Sequence, residues 1–427
     1  MTTFAVKFLG CKVSQADAML ARQRLLESGH EEVSEPEAEL HVVNTCCITR
    51  EAEAKSRQSV RRSLRKGSQK GSQRRVVVSG CAANLDATQF AEIDERVTTL
   101  VGTADDVAVE AAQEAGPGCV DVDSAVGAAD ISRSRTRGFV KVQDGCDCHC
   151  SYCIIPSVRG SARSRPSSAV LKEVRRRVAQ GQPEMVMTGI SVGDYRDPER
   201  GLELGELMQE VAGISGVERV RLSSVEVIHV RDTLLDALEQ DPRVCPHLHV
   251  PMQSGDDGVL AAMGRHYDAT EYLRAVERLR ERVPHVNVTT DVIVGYPTED
   301  AAAFQRTLDL VRRCAITKVH TFSFSPRPGT GADRYGDPVP PDEKKRRSRE
   351  MRGLSEVLGR HHRAAKLDQV EQVLVDKVAE TQVSGYSRDY TRHYLPAQSA
   401  RAGELVGAHA TELYSDGLAA LPLPLAQ

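Results

Sequence analysis

The most informative segment of the chain reads Asp144-Gly145-Cys146-Asp147-Cys148-His149-Cys150-Ser151-Tyr152-Cys153-Ile154-Ile155-Pro156. Cys146, Cys150 and Cys153 follow the spacing C-x3-C-x2-C. Thiolate is the soft ligand that iron–sulfur clusters select. Three thiolates can hold three irons of a [4Fe–4S] cube and leave the fourth iron open to bind and reduce a substrate. The segment therefore predicts a reactive cluster, which a site with four cysteines would not easily provide.

Three cysteines in the N-terminal part each follow a short apolar run that predicts a β-strand: Cys11 after residues 4–9, Cys46 after residues 40–43 and Cys81 after residues 76–78. Such runs alternate with amphipathic stretches through residues 1–115, which indicates an open parallel α/β domain. The carboxyl ends of parallel strands share one edge, where ligands normally bind. One cysteine of this kind would more often be a small core residue. Three in the same topological position favour a second cluster with one open iron.

Residues 137–366 carry a repeat of strand and helix. The six candidate strands are residues 139–143, 185–188, 220–223, 248–252, 286–294 and 319–323. Helical patterns separate them, among them residues 169–179, 271–282 and 301–313. Six βα units predict a partial TIM barrel, (β/α)6, with chemistry at the C-terminal ends of its strands. The cysteine segment follows the first strand, where this rule places an active site.

The remaining stretches differ in composition. Residues 116–136 start with Gly-Pro-Gly and continue with Gly, Ala, Ser and Arg, which is typical of a linker. Prolines at 338–341 end the barrel pattern before a charged helix near residues 342–363. Residues 367–427 contain short apolar runs and turn glycines that predict a small β-barrel, either an RNA-binding platform or a purely stabilising domain. The predicted fold class is α/β, with three domains.

Length and charge exclude some classes of protein. The chain has 427 residues and a formal net charge of −4, so it is not a general polyanion binder and any nucleic-acid site depends on local patches. No apolar run approaches the ~20 residues of a membrane span, and the N-terminus does not resemble a signal peptide. We therefore expect a cytoplasmic protein without a membrane partner. Its 11 cysteines then favour metal ligation over disulfides, with Cys245 and Cys314 as core residues and Cys119 incidental.

A basic run without any carboxylate lies between positions 55 and 75. Its members are Lys55, Arg57, Arg61, Arg62, Arg65, Lys66, Lys70, Arg74 and Arg75. A charged run is usually a solvated face, but such a face normally mixes signs, so this run favours a polyanionic partner. Further arginines flank the barrel and the cysteine segment: Arg133, Arg135, Arg137, Arg159, Arg163 and Arg165. We predict RNA contacts at Arg57, Arg61, Arg62, Arg65, Arg388 and Arg392.

Several stretches together resemble the radical S-adenosylmethionine (SAM) methylthiotransferase family over nearly the whole chain. Besides the cysteine segment they are residues 9–15, 44–46, 79–81, 154–160, 248–255, 291–297 and 322–330. Residues 10–13 and 55–58 are most similar to the MtaB branch of that family. The resemblance implies an N-terminal cluster domain over residues 1–115, a radical SAM barrel over 137–366 and a TRAM-like RNA-binding domain over 367–427.

The MtaB branch adds a methylthio group to C2 of N6-threonylcarbamoyladenosine at position 37 of tRNA, so the resemblance implies this reaction. Sister branches act on isopentenyladenosine in tRNA or on an aspartate of a ribosomal protein, and both stay open as alternatives. The basic patches argue mildly against the protein substrate. A non-catalytic iron–sulfur RNA-binding protein is a third alternative, which the C-x3-C-x2-C spacing opposes.

The resemblance also implies two [4Fe–4S] clusters, SAM, an electron donor and the tRNA anticodon loop as partner. Cys146, Cys150 and Cys153 would ligate the radical SAM cluster, and Cys11, Cys46 and Cys81 an auxiliary cluster that delivers sulfur. The cofactors would carry the radical chemistry at C2, while the protein positions them and excludes water. Anticodon-loop bases are already unpaired, which lowers the cost of exposing one. No catalytic residue beyond the cluster ligands is assigned.

Four residues at or near predicted strand ends are candidate SAM contacts by position: Gly189, Glu226, Asp291 and Gly295. A glycine at such a place is also a common turn residue, and an aspartate there can be structural.

Three residues depart from the family pattern. Cys148 is an additional thiol inside the radical SAM segment, either a spectator or an alternative ligand. Cys47 directly follows Cys46, and since neighbours at a strand end tend to point oppositely, only one should face the cluster; the family pattern favours Cys46. Ser14 stands where the family usually has Asn.

Overall fold

The structure, a computed structural model, describes residues 1–65, 74–116 and 136–423. It divides into two compact units. The first contains the described residues up to 116 together with Asp144–His149 and Cys153–Arg163, and the second contains residues 136–143, Cys150–Tyr152 and those from Ser164 onward. Most of the predicted linker at 116–136 lies outside the described residues, as do Lys66, Lys70, Cys119, Arg133 and Arg135. The linker and the domain boundaries therefore stay predictions.

A parallel five-stranded sheet in the order β2-β1-β3-β4-β5 forms the first unit. Its strands are β1 (Thr3–Phe8), β2 (Glu31–Glu32), β3 (Leu40–Thr45), β4 (Arg75–Gly80) and β5 (Val97–Thr99). Its helices are α1 (Lys12–Glu27), α2 (Arg50–Arg65), α3 (Cys81–Leu85), α4 (Thr88–Ala91) and α5 (Ala104–Ala115). Every residue of β3 is buried, as expected for a parallel strand covered on both faces. The predicted open parallel α/β arrangement is confirmed.

Aligned strand ends bring the three upstream cysteines to one edge of this sheet. In the pairing of β1 with β3, Phe8 lies opposite Asn44. In the pairing of β3 with β4, Thr45 lies opposite Gly80. The residues that follow β1, β3 and β4 therefore leave the sheet side by side.

The chain alternates between the two units around the cysteine segment. Its elements there are β6 (Arg137–Lys141), β7 (Gln143–Asp144), α6 (Ile155–Arg159) and β8 (Arg163–Ser164). Helix α6 packs against α3 in the first unit, because Ile154 and Val158 join the apolar cluster that contains Val76 and Val78.

The second unit begins with a partial barrel of parallel strands in the order β6-β9-β10 and β11-β12-β13. The further strands are β9 (Glu184–Thr188), β10 (Arg219–Leu222), β11 (His247–His249), β12 (Asn287–Val294) and β13 (Lys318–Ser323). The main-chain bond from Cys245 N to Val220 O, 2.9 Å, joins the two halves. All six predicted strands are present. Among the described strands, β6 and β13 pair on one side only, so the barrel is partial as predicted.

Amphipathic helices cover the outside of these strands. They are α7 (Ser167–Ala179), α8 (Leu204–Ala212), α9 (Asp232–Gln240), α10 (Asp257–Ala262), α11 (Ala269–Arg282), α12 (Ala301–Arg313) and α13 (Pro341–Ala364). Helix α12 illustrates why they form. Phe304, Leu308 and Val311 recur at helical spacing and are buried, while the side chain of Asp300 accepts a hydrogen bond from Ala303 N and caps the first turn.

A closed five-stranded barrel in the order β14-β15-β16-β18-β17 ends the described chain. Its strands are β14 (Val370–Val378), β15 (Gln382–Ser387), β16 (Arg392–Pro396), β17 (Leu405–Tyr414) and β18 (Gly417–Leu423). The small β-barrel predicted from the turn glycines is confirmed.

Two buried arginines of β10 fasten this β-barrel to the partial barrel. Arg219 Nη1 donates to Tyr386 O across 2.8 Å, and Arg221 Nη1 donates to Arg388 O across 2.9 Å. The Arg221 guanidinium also lies 4.6 Å from the centre of the Tyr390 ring, and its charge is met by Glu184 at 3.2 Å. The turn around residues 386–390 is therefore an internal joint of the second unit.

Candidate metal centres

Cys11, Cys46 and Cys81 each occupy the first positions after a strand of the N-terminal sheet. Cys11 caps the start of α1, Cys46 follows β3, and Cys81 opens α3 directly after β4. Cys46 and Cys81 are buried, and Cys11 is half-buried. This is the arrangement that the strand-end pattern predicts.

Electrostatics and packing show that these three thiols lie close together. Burial raises the pKa of Cys46 to about 11, and the nearby Cys81 and Cys11 contribute in the same direction. Gly10 has φ of 111°, and a β-carbon at this position would lie 2.9 Å from Cys46 Sγ. Only glycine fits this close approach beside the thiol group without strain.

Cys47 also reaches the group. A hydrogen bond with Cys47 is the largest influence that lowers the pKa of Cys81, to about 6, and Arg159 lowers it further against the effect of burial. Cys47 is fully buried among Val43, Val60 and Val76. Cys47 therefore contacts Cys81, and the expectation that only one of Cys46 and Cys47 faces the cluster stays a prediction.

The chemistry of the donor set is that of iron–sulfur ligands. In the part of the chain that the structure describes, no three His, Cys, Asp or Glu side chains converge closely enough to hold one metal ion. The ligands of a cube bind different irons, so they need not converge on one point. Thiol donors at a buried sheet edge match the softness that iron–sulfur chemistry requires.

Arg159, at the end of α6, is buried against this group rather than exposed to a polyanion. Its Nε donates to Cys81 Sγ across 3.1 Å, its Nη1 to Asp144 Oδ1 across 3.0 Å and its Nη2 to Asp17 Oδ2 across 2.8 Å. Burial alone would lower the pKa of Arg159, but Asp17, Cys81 and Asp144 together raise it, so the guanidinium stays charged. A cavity of about 320 Å³ lies beside Cys81 and Arg159.

The radical SAM segment is shared between the two units. Cys146 and Cys153 group with the first unit and Cys150 with the second. In the first unit, Cys146 N donates to Gly160 O across 3.1 Å, and Cys148 N lies 3.4 Å from Cys146 Sγ. Ligation of one cluster by Cys146, Cys150 and Cys153 stays a prediction.

A second buried arginine contacts a cysteine in the other unit. Arg265 Nη1 donates to Cys150 Sγ across 3.0 Å, and its Nη2 lies 3.0 Å from Glu226 Oε2. Glu226 is one of the candidate SAM contacts. The structure gives its carboxylate a definite partner beside Cys150.

The other three candidate SAM contacts have distinct surroundings. Asp291 pairs with His249 at 3.2 Å between Oδ1 and Nε2. Gly189 packs against Gln143, since a β-carbon there would lie 3.0 Å from Gln143 O. Gly295 has φ of 71°, and a β-carbon there would lie 2.5 Å from Lys344 Cγ, so the backbone and packing already require glycine.

Helix α2 carries the first part of the basic run, as far as Arg65. Arg61, Arg62 and Arg65 are exposed, and their spacing places them on one side of the helix. Arg57 is half-buried and donates to Gln89 Oε1 across 2.9 Å. Arg74 is 4% exposed and donates to the main-chain carbonyls of Ser63 and Pro36, so it stabilises the first unit instead of lining a basic surface.

The predicted RNA contacts in the C-terminal barrel also have intramolecular partners. Arg388 donates to Val244 O across 3.2 Å. Arg392 lies over the rings of Tyr394 and Tyr386, at 5.0 and 5.8 Å from their centres. Arg388 therefore belongs to the joint between the barrels, while Arg392 remains a half-buried candidate.

Sequence reasoning did not assign Asp17, Arg159 or Arg265 to the candidate metal centres. One signal for Arg159 was available in the sequence, since it follows the cysteine segment within the stretch 154–160 that resembles the family. Its charge, however, suggested an RNA contact. Asp17 and Arg265 carry no signal in the sequence, because their partners are 142 and 115 positions away.

Comparisons with known proteins agree with this architecture. Residues 140–311 match the model of the Radical SAM superfamily, and residues 3–102 match that of Uncharacterized protein family UPF0004. The chain is 33% identical to "Threonylcarbamoyladenosine tRNA methylthiotransferase MtaB" of Thermotoga maritima, with 98% of this chain and 96% of the relative covered. It is also 33% identical to "tRNA-2-methylthio-N(6)-dimethylallyladenosine synthase" of Syntrophotalea carbinolica, with 88% and 89% covered.

Among solved structures, the chain is similar in fold to the radical S-adenosylmethionine methyltransferase TsrM of Kitasatospora setae, which was determined with cobalamin and a [4Fe-4S] cluster bound. The TM-score is 0.56 at 14% identity, over 78% of this chain and 77% of that chain. At this identity the likeness concerns the fold alone. No helix in the described ranges has the length and apolar character needed to cross a membrane.

Proposed function

The chain belongs to the radical SAM methylthiotransferases, and we propose that it adds a methylthio group to C2 of N6-threonylcarbamoyladenosine at position 37 of tRNA. The observation that carries this proposal is the presence of two sets of thiols. Cys11, Cys46 and Cys81 share one edge of the N-terminal sheet, and the C-x3-C-x2-C segment follows the first barrel strand. Two sets are what a reaction needs when it both activates a C–H bond and inserts sulfur.

The two thiol sets suit two [4Fe–4S] clusters, which with SAM would supply the one-electron chemistry that replaces the C2 hydrogen with a methylthio group. In our proposal Cys146, Cys150 and Cys153 hold the radical SAM cluster, and Cys11, Cys46 and Cys81 hold the auxiliary cluster. Arg265 and Arg159 each donate to one of these sulfurs and so orient it.

The polar edge of the partial barrel supports a SAM site. Glu226 and Asp291 lie near strand ends, where Arg265 and His249 contact their carboxylates and orient them. Oriented carboxylates of this kind can bind ribose hydroxyl groups or the SAM amino group. The glycines at 189 and 295 allow the main chain to pack closely. This packing alone explains why these two positions are glycine, without a contact to SAM.

Transfer RNA is the proposed partner. The names of the aligned relatives support it, and the exposed guanidinium groups of Arg61, Arg62 and Arg65 provide a surface that could neutralise phosphates. Membership of an enzyme family removes the alternative of a non-catalytic iron–sulfur protein.

A second substrate has specific support. Relatives named as tRNA-2-methylthio-N(6)-dimethylallyladenosine synthases align at 30–33% identity, the same range as the MtaB relatives. Isopentenyladenosine, which is dimethylallyladenosine, is therefore the alternative base. We prefer the threonylcarbamoyl substrate because residues 10–13 and 55–58 resemble the MtaB branch.

Mass spectrometry of tRNA nucleosides tests the substrate directly. Cells that lack this protein should lose 2-methylthio-N6-threonylcarbamoyladenosine and accumulate the form without the methylthio group, while methylthiolated isopentenyladenosine persists. Expression of the intact chain should restore the product. Loss of the methylthiolated isopentenyladenosine instead would identify the alternative substrate.

A further inference from the structure

Arg159 uses its three guanidinium nitrogens on three partners that lie in separate segments. Asp17 lies on α1, which starts directly after Cys11, and Cys81 opens α3. Asp144 lies two positions before Cys146, and the Arg159 side chain is only 6% exposed. One buried cation therefore fixes three segments of the first unit that carry predicted cluster ligands.

Arg159 binds one sulfur and two carboxylates, so charges of both signs lie near Cys81. The guanidinium donates directly to Cys81 Sγ through Nε, while the carboxylates of Asp144 and Asp17 accept from Nη1 and Nη2. Charges interact strongly when they are removed from water. Hydrogen bonds to the sulfurs and the local net charge help to set the reduction potential of an iron–sulfur cluster.

We propose that Arg159 is a positioning residue of the auxiliary cluster: its hydrogen bond to Cys81 holds that ligand and makes the cluster easier to reduce, and Asp17 limits this effect. The inference rests on the proposed function, because it takes Cys11, Cys46 and Cys81 as ligands. It adds that the three cysteines alone do not set the electron affinity of the auxiliary cluster, because Arg159, which follows the cysteine segment in the chain, adjusts it.

The test uses the full chain with Cys146, Cys150 and Cys153 replaced by Ala, so that any cluster that forms is the auxiliary one. Into this background we would introduce Arg159→Gln, Arg159→Lys and Asp17→Asn. The matched control is Arg24→Gln, which removes a charge from a side chain of the same unit that is 49% exposed and pairs with Glu27 within α1. Iron content and the reduction potential, followed by electron paramagnetic resonance, are measured for each reconstituted protein.

The proposal predicts shifts of opposite sign. Arg159→Gln should move the potential to a more negative value, Arg159→Lys should restore part of the shift, and Asp17→Asn should move it to a more positive value. Arg24→Gln should leave it near the parent value, because solvent screens an exposed charge. A purely structural role would lower iron content in the variants without a signed change of potential.

Failure of the proposal can be distinguished from failure of the proposed function. If the background protein binds no cluster, the two-cluster assignment is wrong and this inference falls with it. If it binds about four irons and the potentials of Arg159→Gln and Asp17→Asn equal that of the parent, only the role of Arg159 is wrong. Should Arg159→Gln fail to retain iron, Arg159→Lys decides the question: a potential more negative than that of the parent supports the proposal, and an equal potential overturns it.

Discussion

Arg265 donates a hydrogen bond from Nη1 to the sulfur of Cys150 across 3.0 Å. The same guanidinium lies 3.0 Å from Glu226 and is 3% exposed, and its Nε donates to the hydroxyl of Tyr267 across 3.3 Å. Burial would lower the pKa of Arg265, but the surrounding Tyr152, Tyr267, Glu226 and Cys150 raise it. A permanent positive charge is thus fixed against a proposed ligand of the radical SAM cluster.

Replacing Arg265 should impair that cluster. Arg265→Gln removes the charge beside Cys150 and the partner of Glu226. Loss of a residue that supports a metal ligand typically costs about 10–100-fold in metal affinity or activity, so cleavage of SAM to 5′-deoxyadenosine should fall by about 10-fold or more. Arg274→Gln, at an exposed position of α11, is the control. Equal rates in the two variants would show that the hydrogen bond to Cys150 has no functional role.

Iron analysis tests the two thiol sets. The reconstituted wild-type chain should contain about eight irons, and the Cys11→Ala, Cys46→Ala, Cys81→Ala variant about four. That variant should still cleave SAM but form no methylthio product, because the radical SAM ligands are intact. Cys314→Ala removes a fully buried core thiol and should keep both iron content and product. Methylthio product from the triple variant would refute the auxiliary ligand set.

The sequence predicted the strands and the cysteines well, because both depend on local patterns. Apolar runs placed Cys46 and Cys81 after parallel strands, and topology alone then brought them to one edge. The partners of the arginines could not be predicted this way. Arg159 and Cys81 are 78 positions apart, and Arg388 reaches a carbonyl 144 positions away. A sequence shows that such side chains are basic, but only the packed structure shows whether they meet water, a carboxylate or a sulfur.

Arg221 should contribute strongly to stability. Arg221→Leu removes the guanidinium donor from the carbonyl of Arg388, leaves the carbonyl of Ser387 with Tyr390 N as its donor, and weakens the pairing of buried Glu184. Removing one partner of a buried ion pair typically costs about 3–5 kcal/mol, so the free energy of unfolding of the second unit should fall by about this amount in denaturant titrations. Arg243→Leu breaks a pair with Asp241 at a side chain that is 42% exposed and should cost about 0–1 kcal/mol. Similar losses in the two variants would mean that the joint between the barrels contributes little.

The exposed arginines of α2 should bind tRNA through phosphates. The triple variant Arg61→Gln, Arg62→Gln, Arg65→Gln should bind tRNA more weakly, and the slope of log K against log salt concentration should fall by roughly 0.7–0.9 for each phosphate that is no longer neutralised. Fluorescence anisotropy at several salt concentrations measures both effects. The charge-matched control is Arg312→Gln, Arg313→Gln, Arg349→Gln, at exposed positions of α12 and α13. If both triple variants lose affinity and slope equally, the effect reflects net charge and not a surface on α2.

Cys148 should prove dispensable for the radical SAM cluster. Its main-chain N–H is the group that lies 3.4 Å from Cys146 Sγ, and Cys148→Ala keeps that N–H while removing only the thiol. Iron content and SAM cleavage should therefore match the wild-type protein. The alternative, that Cys148 is a replacement ligand, makes a different prediction in the Cys150→Ala background. There, adding Cys148→Ala would lower the iron content further if the Cys148 thiol ligates, whereas we expect Cys150→Ala and the double variant to retain the same amount, about the four irons of the auxiliary cluster.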